Sequence, residues 1–487
     1  MRSDCRCLIA WLALACLTAG IAADRNDIDK VKNAVLHESH AYQYLEELSN
    51  GIGPRLTGSP EAAFATQWAR AKMEVIGLKQ VHLESWQLAR GWKRVSAQAE
   101  MVAPFHLPLQ IASYGWSGST KTDAAGEDVV VVDGNRLLEG ARENAGKWAG
   151  KILLVAPAEP DRAMTVNAEL AAFASAAAAA HAIAVIKRDT RPGIMLTHTE
   201  PLSFPLSSGP SRIAVVDIAE EHQKLLESLV RSGRRVRLRI DVENQFSPGP
   251  VDCANIVGEI PGYQHPEQIV VVAAHLDSWD LGTGATDDGF GTASVLAAAE
   301  AMLGSGLKPR RTIRFVLFTG EEQGLLGSQA YVQRHRAELQ NILCAFALDW
   351  GQGAITKFPQ AGHQELAPAL ERLAAMIEDF QKIEVIKGYL NFTDAYSFTL
   401  AGVPGIAPLQ DSPGYSLNAH SAADTLDKVD PEILVRDSAI LALAAFWIAD
   451  DPIREGEFWT PEKTAEALIR DHQRAVIELP GMWPFAR

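Results

Sequence analysis

The spacing of apolar residues predicts α/β structure in the first part of the chain. Two stretches, residues 25–50 and 60–76, carry apolar side chains at helical spacing, and a turn-rich Gly–Pro segment separates them. Residues 80–88 then alternate between apolar and polar positions, as a half-buried strand does. The side chains expected on one face of this strand are Val81, Leu83 and Trp86.

Residues 106–245 have a different sequence pattern and are predicted to form an insert with its own core. Short β-branched runs alternate there with Gly and Pro, and an Ala-rich helix is predicted over residues 170–182. The predicted strands of the insert are residues 129–132, 152–155, 183–186, 213–216 and 236–240.

The region from 246 to 452 alternates strands and helices, which predicts a mixed, mostly parallel sheet flanked by helices. Its predicted strands are residues 254–259, 269–274, 312–318 and 343–348, and its predicted helices are residues 291–303 and 324–335. The fold class is therefore α/β. In the tail, residues 453–487, one amphipathic helix is predicted over residues 461–476.

Residues 1–23 read as an export signal, because two arginines precede an apolar stretch and a run of small residues. A membrane anchor is the alternative, but the apolar stretch is short for a bilayer span. Lipid attachment at Cys16 is a second alternative, disfavoured because Ala13 stands where a lipoprotein signal usually has Leu. The mature chain is expected to be secreted or periplasmic.

Composition limits which binding partners and which cysteine chemistry are expected for the chain. The formal charge of −15 provides no basic patch, so neither nucleic acid nor a membrane surface is an expected partner of the mature chain. Two of the five cysteines, Cys253 and Cys344, lie outside the signal in apolar surroundings. Two free thiols and one disulfide are equally compatible with that pattern.

Three predicted core strands end on side chains that can bind a metal ion. His275 ends the first, Glu321 and Glu322 follow the second, and Asp349 follows the third. The carboxyl ends of parallel strands meet at the edge of a sheet where ligands bind. Two further groups could join them: Asp287–Asp288, before a predicted helix, and His420, in a polar loop.

Two imidazoles with several carboxylates favour zinc, whereas calcium and magnesium favour sites made only of oxygen ligands. The number of ligands suits two ions that share a carboxylate, and Asp287 is the best candidate for that bridge. Taken singly, each residue has an ordinary explanation: a strand-end histidine, a solvated Glu–Glu pair, or an aspartate that caps a helix. Their joint placement favours a metal pocket.

The motifs carrying these residues resemble a known family. The segments AHLDSWDLGTGATDDGFGTA, FTGEEQGLLGS, ALDWG and HSAADT are similar to those of the co-catalytic zinc aminopeptidases. The segments GPRLTGS (53–59), VHLE (81–84), LDSWD (276–280) and AGVPG (401–405) resemble the carboxypeptidase Q, or plasma glutamate carboxypeptidase, branch of that family. The similarity extends through nearly all of the mature chain and is weakest in the insert.

This resemblance implies a role for each matching residue. Two Zn²⁺ per chain would be held by His275 and Asp349, and by Glu322 and His420, with Asp287 bridging them. Glu321 would be the general base, and Asp277 would orient His275. It also implies a cis peptide between Asp287 and Asp288, a possible homodimer, and a peptidase domain built from residues 24–105 and 246–452 around a protease-associated insert.

The implied reaction is hydrolysis of dipeptides or short peptides from a free terminus. Water activated by the cations would lose its proton to Glu321, which would pass it to the leaving amine. Thr393 and Asp394 could bind a peptide's amine, although a helix cap explains them equally well. Members of the family often have Tyr or another His just before the last ligand, where this chain has Leu417, Asn418 and Ala419, so the substrate preference stays open.

Two other functions compete with an exopeptidase. A glutaminyl-cyclase-like transferase shares this scaffold, but such relatives look like single-zinc proteins and tend to have Ser where this chain has Asp288. A receptor-like ectodomain would keep the domains only for binding, yet such proteins lose ligands that this chain retains. A metal count together with a dipeptide panel separates the three functions.

Overall fold

The computed structural model describes residues 23–159, 163–187, 195–204, 206, 211–454, 456–479 and 481–485. The predicted export signal lies outside these residues, except for Ala23. The helices are α1 (Arg25–Glu38), α2 (Ala41–Glu46), α3 (Pro60–Ile76), α4 (Leu137–Asn144), α5 (Ala163–Ala179), α6 (Glu220–Arg231), α7 (Phe290–Gly304), α8 (Leu326–Arg334), α9 (Ala367–Met376), α10 (Asp394–Leu400), α11 (Tyr415–Asn418), α12 (Pro431–Asp450), α13 (Pro461–Arg470) and α14 (Arg474–Glu478).

The strands alternate with these helices along the chain. They are β1 (Lys79–Leu88), β2 (Trp92–Ala103), β3 (Leu107–Leu109), β4 (Ile111–Ser113), β5 (Thr120–Lys121), β6 (Glu127–Val132), β7 (Ile152–Val155), β8 (Ala184–Lys187), β9 (Ala214–Ile218), β10 (Arg237–Phe246), β11 (Val251–Ile260), β12 (His265–His275), β13 (Arg311–Phe318), β14 (Ile342–Ala347), β15 (Ala354–Pro359), β16 (Glu384–Ile386), β17 (Gly405–Ile406) and β18 (Leu409–Asp411).

The strands that end on the candidate metal ligands belong to a six-stranded sheet. Its order is β1–β11–β13–β12–β14–β17; β13, β12, β14 and β17 run parallel, and β11 and β1 form an antiparallel edge. Every residue of β13 and β14 is buried, as expected for strands covered on both faces. The predicted mixed α/β architecture is confirmed.

Helices cover both faces of this sheet. On one face α7 and α12 pack against each other and against α1 and α2 in the largest apolar cluster. On the other face Tyr331 of α8 and Phe398 of α10 pack against Phe318 of β13. The two central helices are apolar around nearly their whole circumference because they lie inside the protein rather than on its surface.

A second, nine-stranded sheet contains the region predicted to be an insert. Its order is β3–β2–β10–β6–β7–β8–β9–β4, with β5 paired to β10, and β6 to β9 are parallel. Leu170 and Phe173 of α5 pack in the apolar cluster on one face, and Leu226 of α6 packs in the cluster on the other. The sheet includes β2, which precedes the predicted boundary at residue 106, so the division into domains stays a prediction.

A tryptophan cluster joins the insert to the six-stranded part of the molecule. Trp92 stacks on Trp116 with ring centroids 5.9 Å apart, and Trp116 meets Trp279 edge-on at 6.5 Å. Gly115 lies against the same ring, where an added Cβ would come within 2.6 Å of Trp279. Beside the cluster, Arg94 donates two hydrogen bonds to Asp280, at 2.9 and 3.0 Å.

Three expectations about local structure need correction or completion. Val81 and Leu83 pack on the main core, but Trp86 belongs to the tryptophan cluster. Successive side chains of a strand point to opposite faces, so Trp86, an odd number of residues after Leu83, lies on the other face of β1. The tail forms two helices rather than one, since His472 adopts a φ of 59° between α13 and α14. Cys253 and Cys344 are free thiols. Among the described residues, every helix is too short or too polar to span a lipid bilayer.

Candidate metal centre and active site

The carboxyl edge of the six-stranded sheet gathers the predicted ligands. His275 ends β12, Glu322 lies four residues beyond β13, and Asp349 lies two residues beyond β14. Asp287 comes from the irregular turn before α7, and His420 from the loop after α11. Parallel strands finish at the same edge, so residues far apart in sequence meet there.

The five side chains form two groups that share Asp287. The first consists of His275, Asp287 and Asp349, and the second of Asp287, Glu322 and His420. Nε2 of His275 lies 3.3 Å from Oδ1 of Asp287 and 3.6 Å from Oδ1 of Asp349. Nε2 of His420 lies 3.1 Å from Oδ2 of Asp287 and 3.0 Å from Oε2 of Glu322. One carboxylate oxygen of Asp287 therefore faces each histidine.

These spacings fit tetrahedral zinc. Bonds of about 2.0–2.1 Å place neighbouring ligand atoms roughly 3.3 Å apart in a tetrahedron, and the four separations given above lie between 3.0 and 3.6 Å. Nε2 of His275 and Oε1 of Glu322 are buried, and neither has a hydrogen-bond partner among the described residues. Unpartnered buried polar atoms are costly, and a cation bound in each ligand group would remove that cost.

The charge balance also favours a cation. Burial raises the pKa of Glu322 to about 7, and it raises the pKa of Asp349 and, much more strongly, that of Asp288. Burial opposes ionisation of Asp287 too, but the two histidines lower its pKa far below the ordinary value. So many carboxylates cannot all ionise in a buried pocket without a positive charge among them, and dications would supply it.

Glu321 lies beside the first group. Its Oε2 is 4.0 Å from Nε2 of His275, and its backbone N–H donates to Oδ1 of Asp277 at 3.3 Å. The side chain is buried, and burial together with the nearby Asp349 holds the pKa of Glu321 well above its ordinary range. Glu321 belongs to neither ligand group, and cations bound beside it would favour the ionised form that can accept a proton.

The contacts of Asp277 differ from the expectation in one detail. The Nδ1 atom of His275 is 3.0 Å from the backbone carbonyl of Asp277 and 3.7 Å from its Oδ1. The Asp277 carboxylate instead accepts a hydrogen bond from Thr57 Oγ1 at 2.7 Å as well as the one from Glu321. Asp277 thus links the loops of His275 and Glu321. The bond between Asp287 and Asp288 is cis, as the resemblance implied.

Two buried residues that support the ligand loops were not assigned a role from the sequence. Arg55 donates to the backbone carbonyls of Leu276, Thr283 and Gly284 at 2.7–2.8 Å. Asp424 accepts hydrogen bonds from the N–H and Oγ1 of Thr286 at 2.6 and 2.8 Å. Both residues stand inside quoted motifs, GPRLTGS and HSAADT, but motif position alone does not reveal which backbone groups they hold.

A cavity of about 320 Å³ opens onto the ligand groups. Asp287, Glu321, Glu322, Asp349 and His420 line its floor. Around them lie residues from two parts of the chain. The insert contributes Tyr114, Leu170, Glu200, Pro201 and Phe204, and the later region contributes Trp350, Phe392 and Tyr415. The insert therefore forms part of the wall of the site.

Thr393 and Asp394 are both buried, but they are placed differently. Thr393 lines the cavity, whereas Asp394 is outside its lining and has a pKa that burial raises to about 7. Thr393 precedes α10 without a side-chain hydrogen bond to the helix, so capping does not account for it. Of the two substrate-binding candidates, only Thr393 faces the cavity.

The two ligand groups combine two histidines and three carboxylates, and a glutamate that belongs to neither group lies beside them at the floor of the cavity. This combination defines a metallohydrolase site. Comparison with known proteins shows which kind of metallohydrolase the chain resembles. Residues 255–445 match the model of peptidase family M28. Human carboxypeptidase Q is 28% identical over 413 residues, which is 85% of this chain and 86% of that protein.

Solved structures agree with this assignment. The peptidase M28 precursor of Shewanella amazonensis has a TM-score of 0.77 and 28% identity over 90% of this chain and 99% of its own. The aminopeptidase of Aneurinibacillus sp. strain AM-1 shares the fold, with a TM-score of 0.65 and 22% identity over 90% of this chain and 98% of its own. The chain is thus a zinc metallopeptidase of the exopeptidase class that is similar to family M28 over residues 255–445, and the predicted resemblance to the carboxypeptidase Q branch is confirmed.

Proposed function

We propose that the chain is an exported di-zinc exopeptidase that hydrolyses dipeptides or short peptides from a free terminus. The observation that carries the proposal is the position of Asp287, whose two carboxylate oxygens face different histidines, each of which has a further carboxylate partner. One ion would be held by His275, Asp287 and Asp349, and the other by Asp287, Glu322 and His420.

The chemistry follows from where the side chains stand. Two bound zinc ions would supply Lewis acidity, making water acidic enough to lose a proton near neutral pH and polarising the peptide carbonyl. Glu321 would accept that proton at a carboxylate oxygen, because it is buried beside the ligands without being one of them. It would then return the proton to the departing amine. Asp277 would hold Glu321 in place through the Glu321 backbone N–H.

The cavity supports a short substrate with apolar side chains. Its wall combines the aromatic residues Trp350, Phe392 and Tyr415 with Leu170 and Phe204 from the insert. Apolar side chains gain most from burial against such a wall. Residues of the insert line the same cavity as the metal ligands, so the room beside the ligands is limited, which favours a dipeptide or short peptide as the substrate.

The test is a substrate panel on the purified protein loaded with zinc, with the bound metal counted on the same preparation. Dipeptides and tripeptides with free termini would be compared with the same peptides blocked by acetylation or amidation. We expect two zinc ions per chain, turnover of free dipeptides that contain apolar residues, and loss of turnover when the recognised terminus is blocked.

Other outcomes would assign a different function. One zinc ion per chain, with cyclisation of peptides that begin with Gln and no hydrolysis, would identify a glutaminyl-cyclase-like transferase. Bound zinc with no amino acid released from any peptide would identify a receptor-like ectodomain. Equal cleavage of blocked and free peptides would contradict the exopeptidase subtype.

Three further parts of the proposal do not depend on the substrate panel. Export through residues 1–23 predicts that the mature protein in the secreted or periplasmic fraction begins near Asp24, which N-terminal sequencing would show. Assignment of the insert as a protease-associated domain is supported by its separate mixed sheet and its own apolar clusters. A homodimer predicts a mass in solution twice that of the mature chain, measurable by light scattering.

A further inference from the structure

We propose that Glu200, a residue of the insert, is a positioning residue for His420 and that the insert thereby completes one of the two metal sites. The inference rests on the proposed di-zinc function, because it concerns the affinity of the ion that His420 would hold. It assigns the insert a role in the metal centre itself, in addition to its place in the cavity wall.

The two ring nitrogens of His420 face different partners. Nε2 points at Asp287 and Glu322, the other members of its ligand group, at 3.1 and 3.0 Å. Nδ1, on the opposite side of the ring, lies 3.3 Å from Oε1 of Glu200. When Nε2 binds a metal ion, Nδ1 carries the proton, so the Glu200 carboxylate faces the one N–H that the imidazole can donate.

The backbone of the insert is bound to the loop that carries His420. The N–H of Thr199 donates to the carbonyl of His420 at 2.9 Å, and His198 forms a β-bridge with Ser421. His420 itself has a φ of 59°, in the left-handed region that non-glycine residues rarely adopt. The contact from Thr199 therefore fixes the ligand loop at a residue whose conformation needs support.

Glu200 is held on its other side by the insert. The N–H of Gly115 donates to the backbone carbonyl of Glu200 at 2.8 Å. The N–H of Leu202 donates to the backbone carbonyl of Gly115 at 3.0 Å. Gly115 packs on Trp279, whose ring centroid is 6.0 Å from that of His420. The carboxylate thus belongs to a segment fixed at both ends rather than to a loose loop.

The two candidate metal sites differ in where their support comes from. Nδ1 of His275 faces a carbonyl two residues along the same loop, so that imidazole is oriented from within its own loop. Nδ1 of His420 faces the insert. A carboxylate partner fixes the ring and raises the basicity of a metal-bound imidazole, and losing such a partner typically weakens metal binding by about 10–100-fold.

The experiment measures zinc affinity in the full-length protein by competition with a chromophoric chelator. The variant is Glu200→Gln, which keeps the shape of the side chain but removes its charge, and the control is Glu243→Gln, the same change at an exposed position of β10. We expect one of the two zinc ions to bind at least tenfold more weakly in Glu200→Gln, with the other changed less than twofold. Glu200→Asp should restore part of the loss, and the control should match the wild type.

The remaining outcomes separate this inference from the proposed function. If the wild type binds two zinc ions and hydrolyses dipeptides while Glu200→Gln binds both ions as tightly as the control does, the positioning role is wrong and the function stands. If both ions weaken equally and the metal-free variant also melts at a lower temperature, Glu200 acts only on the fold and the inference fails. A wild type without zinc binding overturns the proposed function first.

Discussion

At the scale of the residue, adjacent side chains in the site have different surroundings. Glu322 approaches His420 within 3.0 Å, whereas Glu321 stands 4.0 Å from Nε2 of His275 and outside both ligand groups. Burial raises the pKa of both carboxyls, because the surrounding protein replaces most of the water that would stabilise their charge. A glutamate next to a ligand, but not itself a ligand, is free to exchange a proton.

The different surroundings of Glu321 and Glu322 predict different results from the same substitution at these neighbouring positions. Glu321→Gln should lower kcat about 10²–10⁴-fold, the usual contribution of a general base, while both zinc ions stay bound. Glu322→Gln should instead weaken one zinc ion, because an amide oxygen is a poorer ligand than a carboxylate. Turnover and bound metal would be measured on the same samples. Activity retained in Glu321→Gln would remove that residue from its role.

A second residue-scale prediction concerns Asp437 in α12, which belongs to neither ligand group. It accepts hydrogen bonds from the Ile355 N–H at 3.0 Å and from Gln410 Nε2 at 3.1 Å, and burial raises its pKa to about 7. The folded protein therefore holds this proton more tightly than the unfolded chain does. The resulting stability is complete below about pH 4 and is lost as the pH rises towards 7.

The test compares wild type and Asp437→Asn, both loaded with zinc, by denaturant unfolding between pH 4 and 8. The free energy of unfolding of the wild type, relative to the variant, should fall across that window by up to about 1.4 kcal/mol per pH unit, the limit for one proton. A relative free energy that stays constant, or that rises with pH, would contradict the raised pKa.

Sequence reasoning could name the ligand types and, through the family resemblance, Asp277 as a supporting residue, but not the other supports. Charged residues directly after apolar strands stand out, because burial there needs a reason, and this signal selected His275, Glu321, Glu322 and Asp349. Arg55 and Glu200 give no such signal: one lies in a turn-rich segment, the other in a loop of the insert. Their partners are backbone carbonyls and an imidazole distant in sequence, which only the folded chain brings near.

At the scale of the element, prediction succeeded where periodicity and end signals agreed. Helix α3 has Ser59 as its cap, Pro60 in its first turn and Gly77 at a φ of 99° after it, so both of its ends were predicted correctly. The tail lacked such a stop signal. Its break depends on His472, which takes the left-handed conformation usually left to glycine, and no apolar pattern reveals that.

The junction between the insert and the six-stranded part gives a prediction at this scale. Gly115→Ala would place a methyl group within 2.6 Å of Trp279, and the ring is held by Trp116. Overpacking of this kind typically costs about 1–3 kcal/mol in the free energy of unfolding. Because Gly115 also binds the Glu200 backbone, catalytic efficiency should fall together with stability.

Gly140→Ala is the matched control for this prediction. Gly140 lies within α4 of the same insert, and an added Cβ there would meet nothing within 4 Å. Alanine in the middle of a helix should stabilise it by about 0.5–1 kcal/mol and leave turnover unchanged. Chemical unfolding and dipeptide hydrolysis would be measured on both variants. Equal effects at the two positions would show that the tryptophan junction does not depend on a glycine.

At the scale of the whole molecule, the sequence predicted the parts better than their arrangement. Strand and helix alternation was enough to predict a mixed, mostly parallel sheet flanked by helices, because parallel strands need crossover helices and buried faces. It did not predict the number of strands or their order. Nothing in the pattern indicated that residues of the insert would line the cavity at the ligand edge. That arrangement depends on Arg94, the tryptophan cluster and backbone contacts between separate regions, none of which has a periodic signature.

The position of the site predicts that metal binding stabilises the molecule as a whole. The ligands come from β12, from the loops after β13, β14 and α11, and from the turn before α7, so the unfolded chain cannot present them together. Zinc held a thousandfold above its dissociation constant would then add about 4 kcal/mol per ion to the free energy of unfolding. Removing it should also restore the repulsion among the buried carboxylates.

Calorimetric melting before and after chelation, and again after zinc is returned, would measure this effect. The apparent Tm should fall on chelation and recover with two equivalents of zinc. His420→Ala, which removes one ligand group but leaves His275 and Asp349, should show a smaller fall on chelation than the wild type. Magnesium should not replace zinc, because imidazole ligands suit it poorly. A melting temperature that does not respond to chelation would mean that these five side chains do not bind metal together.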